Sequence, residues 1–585
     1  MRDITRRDDP DSLGSRDINR GYDWSPYIRK YVVENDYWKQ LKAQYLVEMR
    51  SDVLSTPDEL NTQQRLLYDT VTNHYISFLN GFQPSQLLIN LDGKAGTGKS
   101  FLIMLLSKDL QNMAPTTTGG DQLNPVKRAA PTGVAAYGIS GQTLHSMFKL
   151  PVVLASQYQP LSPGHLLSLQ SDFRHTTYLI IDEKSMIGIP ALFWIDQRCR
   201  EIFMCDSDKP FSGLNIILAG DFYQLPPIMS KALFDTRELP TIEMIAGRQA
   251  YHSFDKTIEL TTIVRQQGDA TFMFRQALEH LRLHTVTKDD WLLLSTRAQS
   301  VLTDEEIRLF DTAIRIYATH DAVDEYNLRR LRELRSPVIR LDAISIGQGA
   351  KTASSDDAGN LLEILSISIG ARIMLTENLW TAFRLVNGAF GTITEIVWPA
   401  RTTDPRSTQP LALMVHFDSY TRPAFFTDTD RRKIVPILPS RREFTLNSIA
   451  CSRTQFSVVL AYAITVHKAQ GITVLRAVLN IKKHDFCPGL AYVAVSRVRS
   501  IEGIMFDESF DFEQFSVRHH LSLEMRLADA LRRRAQHIIG SVHTPPVTHA
   551  WSTSEGVQRS PGALIRSLQQ QRSQRLQDDM DTDSD

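Results

Sequence analysis

LLINLDGKAGTGKSFLIMLL, residues 87–106, is an apolar run, a glycine-rich turn and a second apolar run. LLINL (87–91) has the length and composition of a buried strand, and SFLIMLL (100–106) opens a helix. Between them GKAGTGKS, Gly93 to Ser100, matches the pattern G-x-x-x-x-G-K-[ST] in the strand-turn-helix context it requires. Glycines there let backbone N–H groups turn inward as a nest for phosphate oxygens, and the helix N-terminus adds a favourable dipole. The candidate nucleotide-binding set is Gly93, Lys94, Ala95, Gly96, Thr97, Gly98, Lys99 and Ser100. Lys99 is suited to the β- and γ-phosphates and Ser100 to Mg²⁺, so ATP and Mg²⁺ are the expected small-molecule partners.

Two further apolar runs end in acids. YLIIDEKSM (178–186) delivers Asp182 and Glu183 from a strand end. Asp182 is placed to hold Mg²⁺ and Glu183 to polarise an attacking water as general base. LNIILAGD (214–221) leads into FYQLPP, where Pro226 and Pro227 fix the backbone just past Gln224. An amide can donate to a phosphate oxygen and accept from water, so Gln224 reads as a sensor of nucleotide state.

A nucleotide site alone does not separate a kinase from a ring ATPase or a motor. AAPTGVAAYGISGQTLHSMF (129–148) has small residues that admit a phosphate backbone, a Thr132 able to donate to it, and His145. LTTIVRQ (260–266) carries Arg265, VLAYAITVHKAQG (459–471) carries His467 and Lys468, and AYVAVSRVRS (491–500) carries Arg497. Arginines next to an apolar face are rare without an anion partner.

The 585 residues leave room for several cores, and 42% hydrophobic with 22% charged residues is ordinary for a globular chain. A net charge of −1 requires any anion-binding surface to be local. Cys199, Cys205, Cys451 and Cys487 form no C-x-x-C pair, which argues against zinc and disulfides. FSVVLAYAITV (456–466) falls short of a membrane span. The N-terminus mixes arginine with aspartate, unlike an acid-poor transit peptide, so a nuclear address is expected before a mitochondrial one.

Along the chain, Trp24, Tyr27, Ile28 and Tyr31 recur at helical spacing, which predicts an amphipathic helix within 21–50 that needs a surface to pack on. Strands and helices alternate from 58 to 245, the pattern of a parallel α/β sheet, and again near IRIYA (314–318). Residues 387–450 alternate short β-like runs with turns, predicting a small β-barrel. The Ser/Gln-rich end, 541–585, reads as a disordered acidic tail.

Together LNTQQ (60–64), GKAGTGKS, TGVAAYGISGQTLHS, DEKS, GDFYQLPP, IVRQ, LVNGAFG (385–391), TVHKAQG and YVAVSRVRS resemble, in order, the motor motifs of the Pif (petite integration frequency) family of superfamily 1B DNA helicases, relatives of RecD. The resemblance covers about residues 58 to 510. It implies two RecA-like P-loop domains, 58–245 and 246–386 with 451–540, a wedge insertion near 149–175 and an SH3-like barrel at 387–450. It implies ATP bound between the domains, with Arg265 and Arg497 contributed by the second, and Gln64 reading the adenine. It places Thr132, His145, His467 and Lys468 along single-stranded DNA. The implied activity is ATP-dependent 5′-to-3′ translocation and unwinding of forked DNA, in repair, recombination or telomere maintenance, by a chain taken as monomeric by default. RRKIVPILPSRR (431–442) is a second candidate DNA contact, although charges on edge strands also block aggregation.

Lys184 departs from the apolar or small residue usual after the acid pair. Residues 1–57 match no helicase motif, and a helix without a partner there suggests a piece of a longer polyprotein of the Helitron transposon type. Two other functions stay open: a degenerate DNA-binding remnant of a mobile element, against which the intact Lys99, Asp182, Glu183, Gln224 and Arg497 argue, and a ring-forming AAA-type ATPase, which leaves a second motor domain unexplained.

Overall fold

The computed structural model describes residues 16–45, 56–116, 123–151, 158–266, 271–355, 358–380, 383–421, 423–426, 428–446, 449–480, 489–514 and 521–538. The expected acidic tail and part of the expected wedge fall outside them.

Six parallel strands form the first sheet: β1 (Leu88–Gly93), β2 (Val126–Ala130), β3 (Gln142–Thr143), β4 (Tyr178–Ile181), β5 (Asn215–Gly220) and β6 (Lys256–Leu260). Their spatial order is β3-β2-β4-β5-β1-β6. Both faces are covered, which is why these strands are near-continuous apolar runs: Leu179 and Ile181 enter one core, Tyr178 and Ile180 the other. The helix Thr62–Leu79 opens with a capping box in which Asn61 and Gln64 exchange side-chain and backbone hydrogen bonds.

β6 extends the sheet beyond β1, so the first domain reaches Leu260 rather than ending at 245. The second sheet begins with β7 (Ile314–Tyr317), flanked by the helices Asp304–Arg308 and His320–Glu333. The chain then leaves it for ten strands. These are β8 (Val338–Asp342), β9 (Ile344–Ile346), β10 (Ile364–Ser368), β11 (Arg372–Leu375), β12 (Phe390–Val397), β13 (Ala412–Phe417), β14 (Ile434–Ile437), β15 (Pro439–Leu446), β16 (Ile449–Phe456) and β17 (Val458–Leu460). It returns with β18 (Ala463–Thr465), β19 (Ala477–Leu479) and β20 (Ile504–Phe506), giving a parallel sheet of order β18-β7-β19-β20.

The inserted β-rich region is therefore larger than 387–450. β11 and β17, from outside those bounds, lie beside β12 in a five-stranded antiparallel sheet of order β14-β13-β12-β11-β17, and β8 shares their apolar core. The expected wedge region contains the helix Pro163–Phe173, whose Leu169 and Phe173 are part of the first domain's core.

The N-terminal segment finds its surface inside the chain. No long helix forms over the described part of that range, 21–45: short helices at Asp17–Arg20 and Tyr37–Gln44 flank a 3₁₀ turn at Ser25–Tyr27. Pro26 restricts the backbone there, and Arg29 adopts φ 55° and donates its N–H to Trp398 O at 2.9 Å. Trp24 packs edge-on against Trp398 with centroids 5.2 Å apart, Trp38 donates Nε1–H to Pro436 O at 3.0 Å, and Asn19 pairs with both backbone groups of Val338. The segment expected to lack a partner is a clasp on the β-rich insertion.

The C-terminal helix Leu521–Arg533 also crosses between domains. It was expected within the second, but its Met525 enters the first domain's core, and Ile538 donates its N–H to Thr257 O of β6 at 3.0 Å.

Candidate functional site: a nucleotide cleft between two sheets

The P-loop closes the C-terminal end of β1. Gly96 and Gly98 have φ of 84° and 79°, a region open to glycine, and a Cβ on Gly98 would lie 2.7 Å from Gln64 Nε2. Lys99 opens its helix and donates from Nζ to Gly93 O at 2.6 Å and Lys94 O at 3.0 Å. A cavity of about 340 Å³ lies over this turn. Its wall carries residues 95–101, Asp182, Glu183, Gln224, Val264 and Arg265 from the first domain, and Gly471 and Arg497 from the second. The structure thus brings together every residue expected to act in catalysis or to hold the metal, while of the expected nucleotide-binding residues Gln64, Gly93 and Lys94 do not line the cavity.

Asp182 and Glu183 leave the end of β4, with Glu183 in the left-handed region at φ 55°. Burial, and then the Glu183 carboxylate, push the Asp182 carboxyl above its usual range, against the pull of Lys99. Such an acid pair favours a cation beside it. Glu183 Oε2 accepts from Gln470 Nε2 at 3.0 Å. Gln224 is buried, and its Oε1 has no partner among the described residues, as suits a side chain aimed at a ligand.

The two arginines approach by different routes. Arg497 is buried on the second domain, with Nε donating to Val493 O and Nη1 to Ala469 O and Ile472 O. Burial, then the neighbouring Arg265, lower its pKa to about 10. Arg265 was expected from the second domain but follows β6 of the first: its N–H donates to Gly96 O at 3.1 Å while Nη1 reaches across to Ser496 O at 3.3 Å. The buried guanidinium of Arg497, the half-buried one of Arg265 and Lys99 around one cavity suit a polyanion. Ser100 and Asp182 line it as candidate Mg²⁺ ligands, and no group of three or more His, Cys, Asp or Glu suited to a metal occurs among the described residues. Few protein ligands is the usual arrangement where phosphates and water complete the Mg²⁺ shell.

Gln64 does not fit the expected reading of adenine. Its Oε1 accepts from Asn61 N–H at 3.1 Å and its Nε2 donates to Thr97 O at 3.0 Å, so one end of the amide caps its own helix and the other braces the P-loop.

Four residues that join the halves escaped the sequence reading. Tyr492 accepts from Ala95 N–H at 2.9 Å and donates to Asp221 at 3.2 Å, tying the P-loop to the end of β5. Arg282 grips Asp221 with Nε and Nη2, each at 3.1 Å. Gln266 donates to Val498 O at 3.3 Å, and Gln470 holds Glu183. Gln266, Gln470 and Tyr492 lie inside the motifs that carry Arg265, His467 with Lys468, and Arg497, but nothing there marks them individually, and Arg282 lies in none.

Of the candidate DNA residues, Thr132 caps the helix Gly133–Gly138 by accepting from Ala135 N–H, which leaves its own O–H free to donate. Lys468 is exposed and His467 half-buried on the helix Val466–Ala469. The turn after Val466–Ala469 meets the helix Gly133–Gly138, where a Cβ on Gly471 would stand 3.6 Å from Ala135 Cα, and the segment 385–391 abuts the same helix, a Cβ on Gly388 standing only 2.0 Å from Val134 Cγ2. His145 is exposed on the following helix, Leu144–Phe148, and makes none of these contacts. Within 431–442, Arg431 stacks 3.5 Å from the Phe426 centroid and Arg442 pairs with Glu377, so two of the basic side chains have partners inside the protein.

A P-loop cleft closed by a second parallel sheet defines a two-domain RecA-like fold. Within that class residues 59–287 match the family model described as PIF1-like helicase, which bears out the resemblance read from the motifs. The chain is 29% identical over 428 residues to the human ATP-dependent DNA helicase PIF1, covering 73% of this chain and 58% of that protein. It is 28% identical to the ATP-dependent DNA helicase Pif1 of Bdellovibrio bacteriovorus, covering 71% and 82%. It spans little more than half the length of the human, Candida albicans and zebrafish relatives. Among solved structures, Pif1 helicase from Candida albicans superposes with a TM-score of 0.60 at 24% identity, over 81% of this chain and 99% of that one. Pif1 helicase from Bacteroides in complex with ADP-AlF3 and ssDNA gives 0.57 at 24%, over 79% and 97%. No described helix is long and apolar enough to cross a membrane.

Proposed function

We propose that the protein is an ATP-dependent DNA helicase that moves 5′ to 3′ on single-stranded DNA. The observation that carries it is the hydrogen bond from Gln470 to Glu183. Gln470 lies three residues after His467 and two after Lys468 in the segment proposed to follow the DNA, and it touches the proposed general base. Occupancy of the strand and activation of water are then two ends of one short segment.

The residues divide the work. Lys99 and the P-loop amides hold the phosphates, and Gln224 reports on the terminal one. Glu183 takes the proton of the attacking water, and Arg265 and Arg497 offset charge developing on the transferred group. Bound Mg²⁺, held by Ser100 and Asp182, would neutralise charge on the phosphate oxygens. Because Arg497 stands on the second domain, binding ATP draws the two halves together, and release of products lets them part. That motion passes to the paired helices Gly133–Gly138 and Val466–Ala469, one from each domain. An arginine finger is worth about 10³–10⁵ in rate, so Arg497→Ala raises the barrier by roughly 4–7 kcal/mol.

The reading is tested by ATP hydrolysis with and without single-stranded DNA, wild type beside Glu183→Gln, followed by unwinding of forks with 5′ or 3′ tails. Strong stimulation by DNA, lost in the variant, and unwinding from the 5′ tail are expected. Hydrolysis indifferent to DNA would remove the helicase reading, and none at all would favour a degenerate remnant. A nuclear location accords with a DNA substrate and is checked by imaging a tagged chain.

A further inference from the structure

The helix Leu521–Arg533 presents Met525, Arg526, Asp529 and Arg533 to the first domain along one buried face, with spacings of three, four and seven residues. Arg526 is buried and donates from Nη2 to Gln224 O at 3.2 Å, its guanidinium 5.2 Å from the Phe234 centroid. Arg533 donates from Nε to Asp529 Oδ2 at 2.8 Å and from Nη1 to Asp92 Oδ2. Tyr251 donates to Asp529 at 2.9 Å. The other oxygen of Asp92 receives Lys184 Nζ, which is wholly buried, 3.3 Å from Asn90 Oδ1 and 4.7 Å from the Phe222 centroid.

Apart from Arg526 on the carbonyl of Gln224, this network stands outside the cavity wall, yet it holds three of the loops that form it. Asp92 immediately precedes Gly93, whose carbonyl receives Lys99. Lys184 immediately follows Glu183 and is packed so tightly that a Cβ on Gly220 would stand 2.7 Å from its nitrogen. Arg526 binds the carbonyl of Gln224 itself. A buried ammonium is costly unless paired, so the unusual lysine after the acid pair requires this partner.

We propose that the Lys184–Asp92–Arg533 triad, with Arg526 on Gln224, is a positioning device through which the C-terminal helix sets the spacing between the P-loop, the general base and the sensor. This rests on the ATPase reading above. The four residues are positioning residues: they act on hydrolysis by holding Glu183 and Gln224 and make no contact with the nucleotide. Their loss therefore lowers kcat while ground-state binding of nucleotide stays.

The test uses the full chain with single-stranded oligonucleotide: steady-state ATP hydrolysis, titration with a fluorescent ADP analogue, and thermal melting. The variants are Arg533→Met, Arg533→Lys, Lys184→Met and, as a control, the exposed Arg534→Ala. In Arg533→Met and Lys184→Met kcat falls about tenfold or more, while KM for ATP and the analogue's affinity stay within about threefold. Arg533→Lys recovers part of the rate, and Arg534→Ala matches wild type. Asp92→Asn keeps the shape, removes the charge and carries the same expectation, which covers an Arg533→Met that does not fold. Unchanged kcat in folded Arg533→Met, Lys184→Met and Asp92→Asn, beside an active wild type, would overturn the proposal alone. So would rate and nucleotide affinity falling together with melting temperature, the mark of a merely structural role. A wild type that binds the analogue but never hydrolyses ATP would overturn the motor reading and this one with it.

Discussion

Asp221 receives three groups from the other half of the molecule: two nitrogens of Arg282 and the hydroxyl of Tyr492. Burial alone would raise its carboxyl, but Arg282 prevails and holds it below the usual range. A depressed carboxylate adds stability that is present above the unfolded value near 4 and is lost as pH falls through the folded value. Asp221→Asn, which leaves Arg282 buried without a counter-charge, should cost about 3–5 kcal/mol at neutral pH. In thermal melts that deficit should shrink as pH drops below 4, because the wild-type acid is then protonated too. Gln470→Ala should leave nucleotide affinity intact and lower DNA-stimulated kcat about tenfold or more, since it frees a general base that must stay in place. Lys99, Ser100, Asp182, Glu183 and Gln224 were legible because each follows the end of one of three apolar strands, β1, β4 and β5, at a short offset. Tyr492 and Arg282 were not: their partners lie on another sheet, and inside apolar or amphipathic helices nothing local marks them.

At the scale of elements, strands buried on both faces announced themselves, and β1, β4, β5 and β7 fall where their apolar runs are. Pairing across distance did not. β11 joins β12 and β17 by register alone, so composition could show where a β-rich region begins to alternate but not which earlier strand completes it. The aromatic spacing at 24–31 misled for a physical reason, since Pro26 and the backbone bond from Arg29 to Trp398 O override a helical period. Trp24→Ala should cost the insertion about 3–5 kcal/mol. Hydrogen exchange would show this as lost protection over β12 and β13, with the first sheet unaffected. The same tight design governs the P-loop. Gly98→Ala would force φ of 79° on alanine and press on Gln64, so ADP binding measured by titration should weaken sharply.

Over the whole molecule, the site exists only where two sheets face each other, with Lys99 and Arg497 on opposite walls of one cavity. Lys99→Ala should therefore abolish ATP turnover and leave single-strand binding in a gel-shift assay, because the proposed strand path runs over other helices. That binding should weaken steeply with salt as phosphate contacts release counterions. A net charge of −1 hid such a surface from composition, since the helices proposed to carry the strand are a small share of the chain.

The two ends of the described chain are interlaced: the N-terminal segment clasps the insertion of the second half, and the C-terminal helix closes the core of the first. Neither half can be expressed as a clean contiguous fragment, since each would lack a piece supplied by the other and bare the apolar surface beneath it. A protease cut after Gln266 should, for the same reason, yield two bands under denaturing conditions and one particle in native solution. Co-expressed halves split there should reassemble without a fused dimerisation tag.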